Sequence, residues 1–209
     1  MTGPALSTLG LEKRFGSLVV ASDINLTIPH GVRYALIGPN GAGKTTLINL
    51  ITGMLRPDAG TILLDAADIT ALKPDARVKQ GLVRTFQINT LFPQLNALEA
   101  VTLAVGERRG TAGIWWKPLS AYPEAVEEAH SILQTLGLAA DCHRLTRELA
   151  YGQQRLLEIA LAMATKPKVL LLDEPAAGVP REECAALFAA ITGLSKDVTV
   201  LFIEHDMDL

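Results

Sequence analysis

The apolar positions of the chain follow two kinds of pattern, and the kind changes twice along its length. LVVASDINLTI alternates loosely and ends before the turn Pro29-His30-Gly31, VRYALIG is a short apolar run that stops at a glycine-rich loop, and TILLDAADI is entered through the turn from Arg56 to Gly60. Loose alternation and short apolar runs bounded by turn residues predict strands. After Gln87 the period lengthens. LNALEAVTLAV and PEAVEEAHSILQTLGL read as helices, the second with Ala125, Ala129, Ile132, Leu133 and Leu136 at helical spacing. Between them GERRGTAGIWWKPLSAY predicts a loop or broken helix, and Trp115 and Trp116 are read first as local packing. LAYGQQRLLEIALAMA gives a further helix with Leu156, Ile159, Ala160 and Met163 facing inward. KVLLLDE and VTVLFIE then return to strand, separated by a helix from about Arg181 to Leu194. Continuous leucine and β-branched strands separated by helices predict a parallel sheet covered on both faces, hence an α/β domain with an α-helical insertion.

Composition narrows the function classes. A net charge of -3 over 209 residues argues against a polyanion-binding surface, so nucleic acid is not an expected partner. No apolar run approaches the roughly 18 residues of a membrane span, and MTGPALSTLG lacks a basic start followed by a hydrophobic stretch. The expected location is therefore the cytoplasm. Cys142 and Cys184 stand far apart without a C-x-x-C pattern and read as reduced thiols, and the Cys142-His143 pair alone makes no metal site.

Candidate chemistry concentrates at strand ends. GPNGAGKTT, Gly38 to Thr46, matches G-x-x-x-x-G-K-[ST] between a strand and a helix. Gly38, Gly41 and Gly43 let backbone N–H groups turn inward on a phosphate chain. Lys44 supplies a point charge to the β and γ phosphates, and Thr45 a hydroxyl for Mg²⁺. VLLLDEP brings Asp173 and Glu174 to the carboxyl end of a strand, where open α/β sheets bind ligands. Asp173 suits holding Mg²⁺ through water and Glu174 suits polarising an attacking water; capping of the following helix is the alternative. His205 follows a third such strand. Gln87 in RTFQ sits where strand gives way to helix, either as a turn residue or as an amide touching both a metal-bound water and a moving domain. Gly152 stands where a helix begins, which suggests a close approach to the backbone there and an anion at the helix start. That start need not face the chain's own phosphate loop and could complete the site of a second subunit.

Taken in order, these stretches resemble the nucleotide-binding subunit of ATP-binding-cassette transporters over nearly the whole chain. GPNGAGKTT resembles the Walker A loop, RTFQ the Q-loop, LAYGQ the signature sequence, VLLLDEP Walker B with its catalytic glutamate, AAGVP the D-loop and IEHD the histidine switch. The resemblance implies a P-loop NTPase core with a mainly parallel sheet, an N-terminal antiparallel β subdomain and an inserted α-helical subdomain. Residues 1–87 with 166–209 would form the core and 88–165 the helical part. It further implies ATP stacked on Phe15 and wrapped by Gly38, Pro39, Asn40, Gly41, Ala42, Gly43, Lys44, Thr45 and Thr46. Thr45, Gln87 and Asp173 would hold Mg²⁺, while Glu174, His205, Lys44 and Gln87 would serve catalysis. Ala150, Tyr151, Gly152 and Gln153 would contact the nucleotide of a second ATPase subunit.

RTFQ, the long insertion, LAYGQQRLLEIA, DEPAAG and EHDM are similar in detail to the ATPases of branched-chain amino-acid importers, and urea-import and lipopolysaccharide-export ATPases share parts of the pattern. Transmembrane permease subunits are implied partners, reached at the cytoplasmic face of the membrane, with Leu91 and Phe92 as docking candidates in a loop. The chain departs from the usual LSGGQ. Ala150 replaces the serine whose hydroxyl would touch the γ-phosphate, Tyr151 replaces a glycine, and Pro180 takes the usual D-loop aspartate position. Backbone N–H groups near Gly152 would then carry more of the contact. The sequence stops at Leu209, where the resemblance would have the chain continue through another strand and helix, so either an exposed sheet edge or an incomplete dimer contact is expected. A chromosome-organising or repair ATPase would need long coiled-coil arms, and no sustained heptads occur between the phosphate loop and VLLLDEP. A ribosome-directed cassette would be expected to carry two cassettes and a basic linker. A nucleotide kinase leaves LAYGQQ and IEHD unexplained.

Overall fold

The computed structural model describes residues 3–39, 41–85, 91–111 and 122–204. Their contacts divide the chain into two units. The first comprises Met1–Arg84, Pro167–Pro175 and Ser195–Leu209. It carries β1 (Leu6–Phe15), β2 (Leu18–Ile28), β3 (Arg33–Ile37), α1 (Lys44–Thr52), β4 (Ala59–Leu64), β5 (Ala67–Asp68), α2 (Pro74–Gln80), β6 (Leu82–Arg84), β7 (Val169–Asp173) and β8 (Thr199–Glu204). β2-β1-β4-β5 form an antiparallel sheet and β3-β8-β7-β6 a parallel one.

Every residue of β7 is buried, as expected for a leucine-rich strand in a parallel sheet covered on both faces. One apolar core joins both sheets to α1, with Leu6, Leu11, Ile48, Ile51, Ile62, Leu171 and Leu201 wholly enclosed. Parallel register sets Ile37 opposite Glu204 and Ile203 opposite Asp173, so β3, β8 and β7 end together at one sheet edge. At the other end of α1, the buried Arg77 donates to Leu50 O at 2.8 Å and to Ile51 O at 2.5 Å, adding to the Gly53 N–H that also reaches Leu50 O, so the carbonyls of the helix end are satisfied. That anchors the helix which follows the phosphate loop.

The second unit comprises Thr85–Lys166 and Ala176–Leu194, with α3 (Ala97–Arg108), α4 (Pro123–Thr135), α5 (Tyr151–Ala164) and α6 (Arg181–Thr192). α5 packs against α3, α4 and α6. Asn96 and Glu99 form a reciprocal capping box at the start of α3, at 2.8 and 2.9 Å. Sequence reading kept 176–194 with the core. In the structure these residues group with the helices, because α6 and the turn before it bond to the first turn of α5.

Helices α3 and α4 are also joined by charge. Glu128 accepts from Arg108 at 2.7 Å and from Arg109 at 2.8 Å, and Lys166 lies 3.3 Å away. Arg108 first, then Arg109 and Lys166, hold its carboxyl down from 4.5 to about 2. A depressed folded-state pKa stabilises above the ordinary value and is lost as pH falls through the folded one, here between about 4.5 and 2. With Glu128 partly exposed, Glu128→Gln is expected to lower stability at neutral pH by about 2 kcal/mol, with the difference from wild type closing over that window. Urea unfolding at a series of pH values checks it; a pH-independent difference would contradict the assignment.

Candidate active site

The shared edge of β3, β7 and β8 carries the site. Directly after β3, the chain turns through Gly41 and Gly43, both with left-handed φ, and enters α1 at Lys44. A β-carbon at Gly43 would lie 3.0 Å from Val20 O, so both conformation and space require glycine there. Ala42 N donates to Pro39 O at 3.3 Å, tightening the loop. Among the described residues no side chain caps α1, and its first turn holds no acidic residue. The opening amides of the helix and its positive dipole end are therefore available to an anion. Lys44 Nζ donates to Gly38 O and, at 2.9 Å, to Pro39 O, so the ammonium lies along the loop.

Glu174 sits one residue past β7 with φ 46, a left-handed conformation that is uncommon for a residue with a side chain. Its N–H donates to Ile203 O at 3.1 Å, fixing the strand end to β8. Glu174 lines a cavity of about 190 Å³ with Val20, Gly41, Gly43, Lys44, Thr45, Thr46 and Ile203. A carboxylate, an ammonium, a threonine hydroxyl and a helix N-terminus thus surround one small polar space.

Asp173 is 8% exposed and ion-paired with Arg84, which in turn donates to Asn49 Oδ1 at 2.8 Å. Neither Arg84 nor Asn49 was singled out from sequence, although Arg84 opens the RTFQ stretch; partners 89 residues apart leave no periodic signal. Val20 was also missed, because its contribution is a carbonyl close to Gly43. Phe15 is 48% exposed with Lys13 Nζ 5.6 Å from its ring centroid, and it does not line the cavity. Asn40, Gln87 and His205 lie outside the described residues, as do Trp115 and Trp116.

The donor set fits Mg²⁺. The Thr45 hydroxyl and the Glu174 carboxylate, which line the cavity, are hard oxygen donors, whereas Asp173 does not line it and is paired with Arg84; among the described residues no three His, Cys, Asp or Glu side chains gather as a protein-only cage. Mg²⁺ is commonly held by one or two protein oxygens together with substrate phosphates.

In the second unit, the start of α5 is tightly bonded. Gln153 Oε1 accepts from Ala150 N at 3.0 Å, while its Nε2 donates to Asp141 at 2.7 Å. Gly152 N donates to Glu183 Oε2 at 2.8 Å, so the close approach expected at this glycine is made by a carboxylate of α6. Tyr151 is 38% exposed, with the Arg155 guanidinium 5.4 Å from its ring. Cys142 and Cys184 are buried free thiols.

Comparison with known proteins agrees with this arrangement. The family model described as ABC transporter matches residues 21–177. The high-affinity branched-chain amino acid transport ATP-binding protein BraF of Pseudomonas aeruginosa is 42% identical, covering 100% of this chain and 85% of that protein. The corresponding protein LivG of Escherichia coli is 40% identical over the same shares. The crystal structure of an ATP-binding cassette of an ABC transporter in its ADP conformation superposes with a TM-score of 0.84 at 35% identity, covering 99% of this chain and 83% of that one.

Proposed function

We propose, for a chain that belongs to the ABC transporter family, that it is the ATP-hydrolysing subunit of an importer for branched-chain amino acids. The observation that carries the reading is the single cavity shared by the phosphate loop and Glu174. BraF and LivG, both named as branched-chain amino acid transport ATP-binding proteins, support the substrate.

The triphosphate lies along Gly38 to Thr46, with the opening amides of α1 and the Lys44 ammonium opposing its charge. Lys44 exchanges its loop carbonyls for phosphate oxygens. Thr45 and Asp173 would hold Mg²⁺, with Gln87 as the third oxygen donor, and the ion when bound would neutralise charge building on the transferred group. Glu174 orients water for in-line attack, and His205 balances charge on the departing phosphate. Arg84 pairs with the Asp173 carboxylate, which would then serve both the guanidinium and the ion. Phe15 supports the adenine. The start of α5, Ala150 to Gln153, meets the nucleotide of a second ATPase subunit, and that subunit returns the same contact.

Among the described residues no helix is long and apolar enough to cross a membrane. Attachment to the cytoplasmic face of the membrane then comes through permease subunits. Phe92 is 64% exposed, whereas Leu91, expected to be exposed beside it, is half-buried. Phe92 is thus the better docking residue. Purification from membranes is expected to recover two transmembrane subunits and a second ATPase with the wild type, and Phe92→Asp to reduce that recovery at least about fivefold without changing nucleotide binding. Recovery of ribosomes or DNA in place of permeases overturns the function; undiminished recovery with Phe92→Asp overturns the docking residue.

A further inference from the structure

Gly152 is the second residue of α5, and its N–H is one of the amides that a helix start leaves without an intrahelical partner. The preceding N-cap residue, Ala150, offers only a methyl group and no acceptor. Glu183, half-buried in the first turn of α6, takes the Gly152 N–H at 2.8 Å. A β-carbon at Gly152 would fall 2.4 Å from the same Oε2 and 3.2 Å from Glu183 Cβ. Backbone and carboxylate are therefore fitted to each other.

A second contact beside it holds the two segments together. The Tyr151 hydroxyl and ring edge would lie 3.2 and 3.3 Å from a β-carbon at Gly178, which has φ +77. The Arg155 guanidinium, 5.4 Å from the Tyr151 ring centroid, also donates through Nη2 to Ala177 O at 3.5 Å. The ring replacing a signature glycine thus occupies the space left by a glycine in the turn before α6. Glu183 stays aimed at α5 because Tyr151 and Arg155 fix that turn.

We propose that Glu183 is an internal anion that holds the Gly152 amide and must be displaced by phosphate of the partner's nucleotide, so that its charge sets the ATP concentration at which the two ATPase subunits close. This rests on the reading that the start of α5 meets the second subunit's nucleotide. One N–H cannot serve a carboxylate and a phosphate at full strength. Two anions at the same helix start also repel. Charge at such a terminus is worth about a fivefold change in an equilibrium constant.

The test uses the assembled transporter, with the distance between labels on its two ATPase subunits followed as AMP-PNP is titrated. Glu183→Gln keeps the shape and an acceptor but removes the charge, and it is expected to lower the half-point of closure about fivefold with ADP affinity unchanged. Glu183→Asp keeps the charge and is expected to stay near wild type. An unchanged or raised half-point in Glu183→Gln overturns the inference, as does an equal fall in Glu183→Asp, which would assign the effect to packing. A photoreactive group on the γ-phosphate of ATP separates the two layers. No labelling of α5 in the closed complex overturns the reading beneath and the inference with it, whereas labelling of α5 with an unshifted Glu183→Gln overturns the inference alone.

Discussion

A Glu174→Gln variant is expected to lose ATP turnover on the order of 10³-fold while its Kd for ATP stays within about threefold of wild type. Glu174 lies in the cavity with Lys44, Thr45 and Thr46, one residue beyond the buried strand β7. Glutamine has the same length and tolerates the left-handed backbone at φ 46 about as well, so the substitution removes charge and basicity while the chain path is kept. In the proposed reading the groups that grip the triphosphate lie in the loop and in α1. A residue acting on the attacking water lowers kcat and kcat/KM together, whereas one that binds substrate raises KM. Single-turnover hydrolysis beside equilibrium binding of a fluorescent ATP analogue separates the two. Wild-type turnover in the variant would return Glu174 to the role of a helix-capping acid.

The parts of this picture visible in the sequence are those governed by local pattern. The phosphate loop is legible because Gly41 and Gly43 answer a backbone requirement and the strand and helix flank them directly. Helix α4 is legible from its spacing: Ala125, Ala129, Leu133 and Leu136 are buried, with Ile132 half-buried at the margin. β1 was not singled out, because register shifts against β2 between Thr8 and Arg14 interrupt its alternation. TILLDAADI, read as one strand, is divided into β4 and β5 by Asp65 and Ala66, both with positive φ. Neither residue type announces that conformation strongly. α2 is only seven residues long and holds too few apolar positions to show a period.

Long-range polar pairing was the least visible layer. Arg84 with Asp173, and Gly152 with Glu183, join residues 89 and 31 positions apart. Nothing in the spacing of either pair signals it. Gly152 did signal that something approaches the backbone, but a missing β-carbon states the space and not its occupant. The expected occupant is a phosphate of a second subunit's nucleotide, and within the chain itself a carboxylate takes the same N–H. Both anions suit the same N–H and the same dipole, which is why the sequence marks the place without naming the group inside the chain.

Lys44→Ala is expected to raise the Kd for ATP roughly 100-fold, since a charged hydrogen bond to phosphate contributes about 1.5–3 kcal/mol. The fold should survive the change. Among the described residues Lys44 Nζ donates to the loop carbonyls of Gly38 and Pro39, and the half-buried side chain lies outside the apolar core, so its loss leaves that core intact. This separates binding from stability in one thermal measurement. At an ATP concentration about 100 times the wild-type Kd, ligand binding stabilises the wild type by about 2.7 kcal/mol. The variant at the same concentration sits near its own Kd and gains only about 0.4 kcal/mol. The melting temperature without nucleotide should therefore be nearly the same for both proteins, and the rise on adding ATP should all but vanish in Lys44→Ala. A full rise in the variant would mean that the opening amides of α1 and the loop glycines hold the triphosphate without the ammonium. In that case the lysine's bonds to its own loop would be its principal role, and charge opposition in the site would have to be reassigned to Mg²⁺ and the helix dipole.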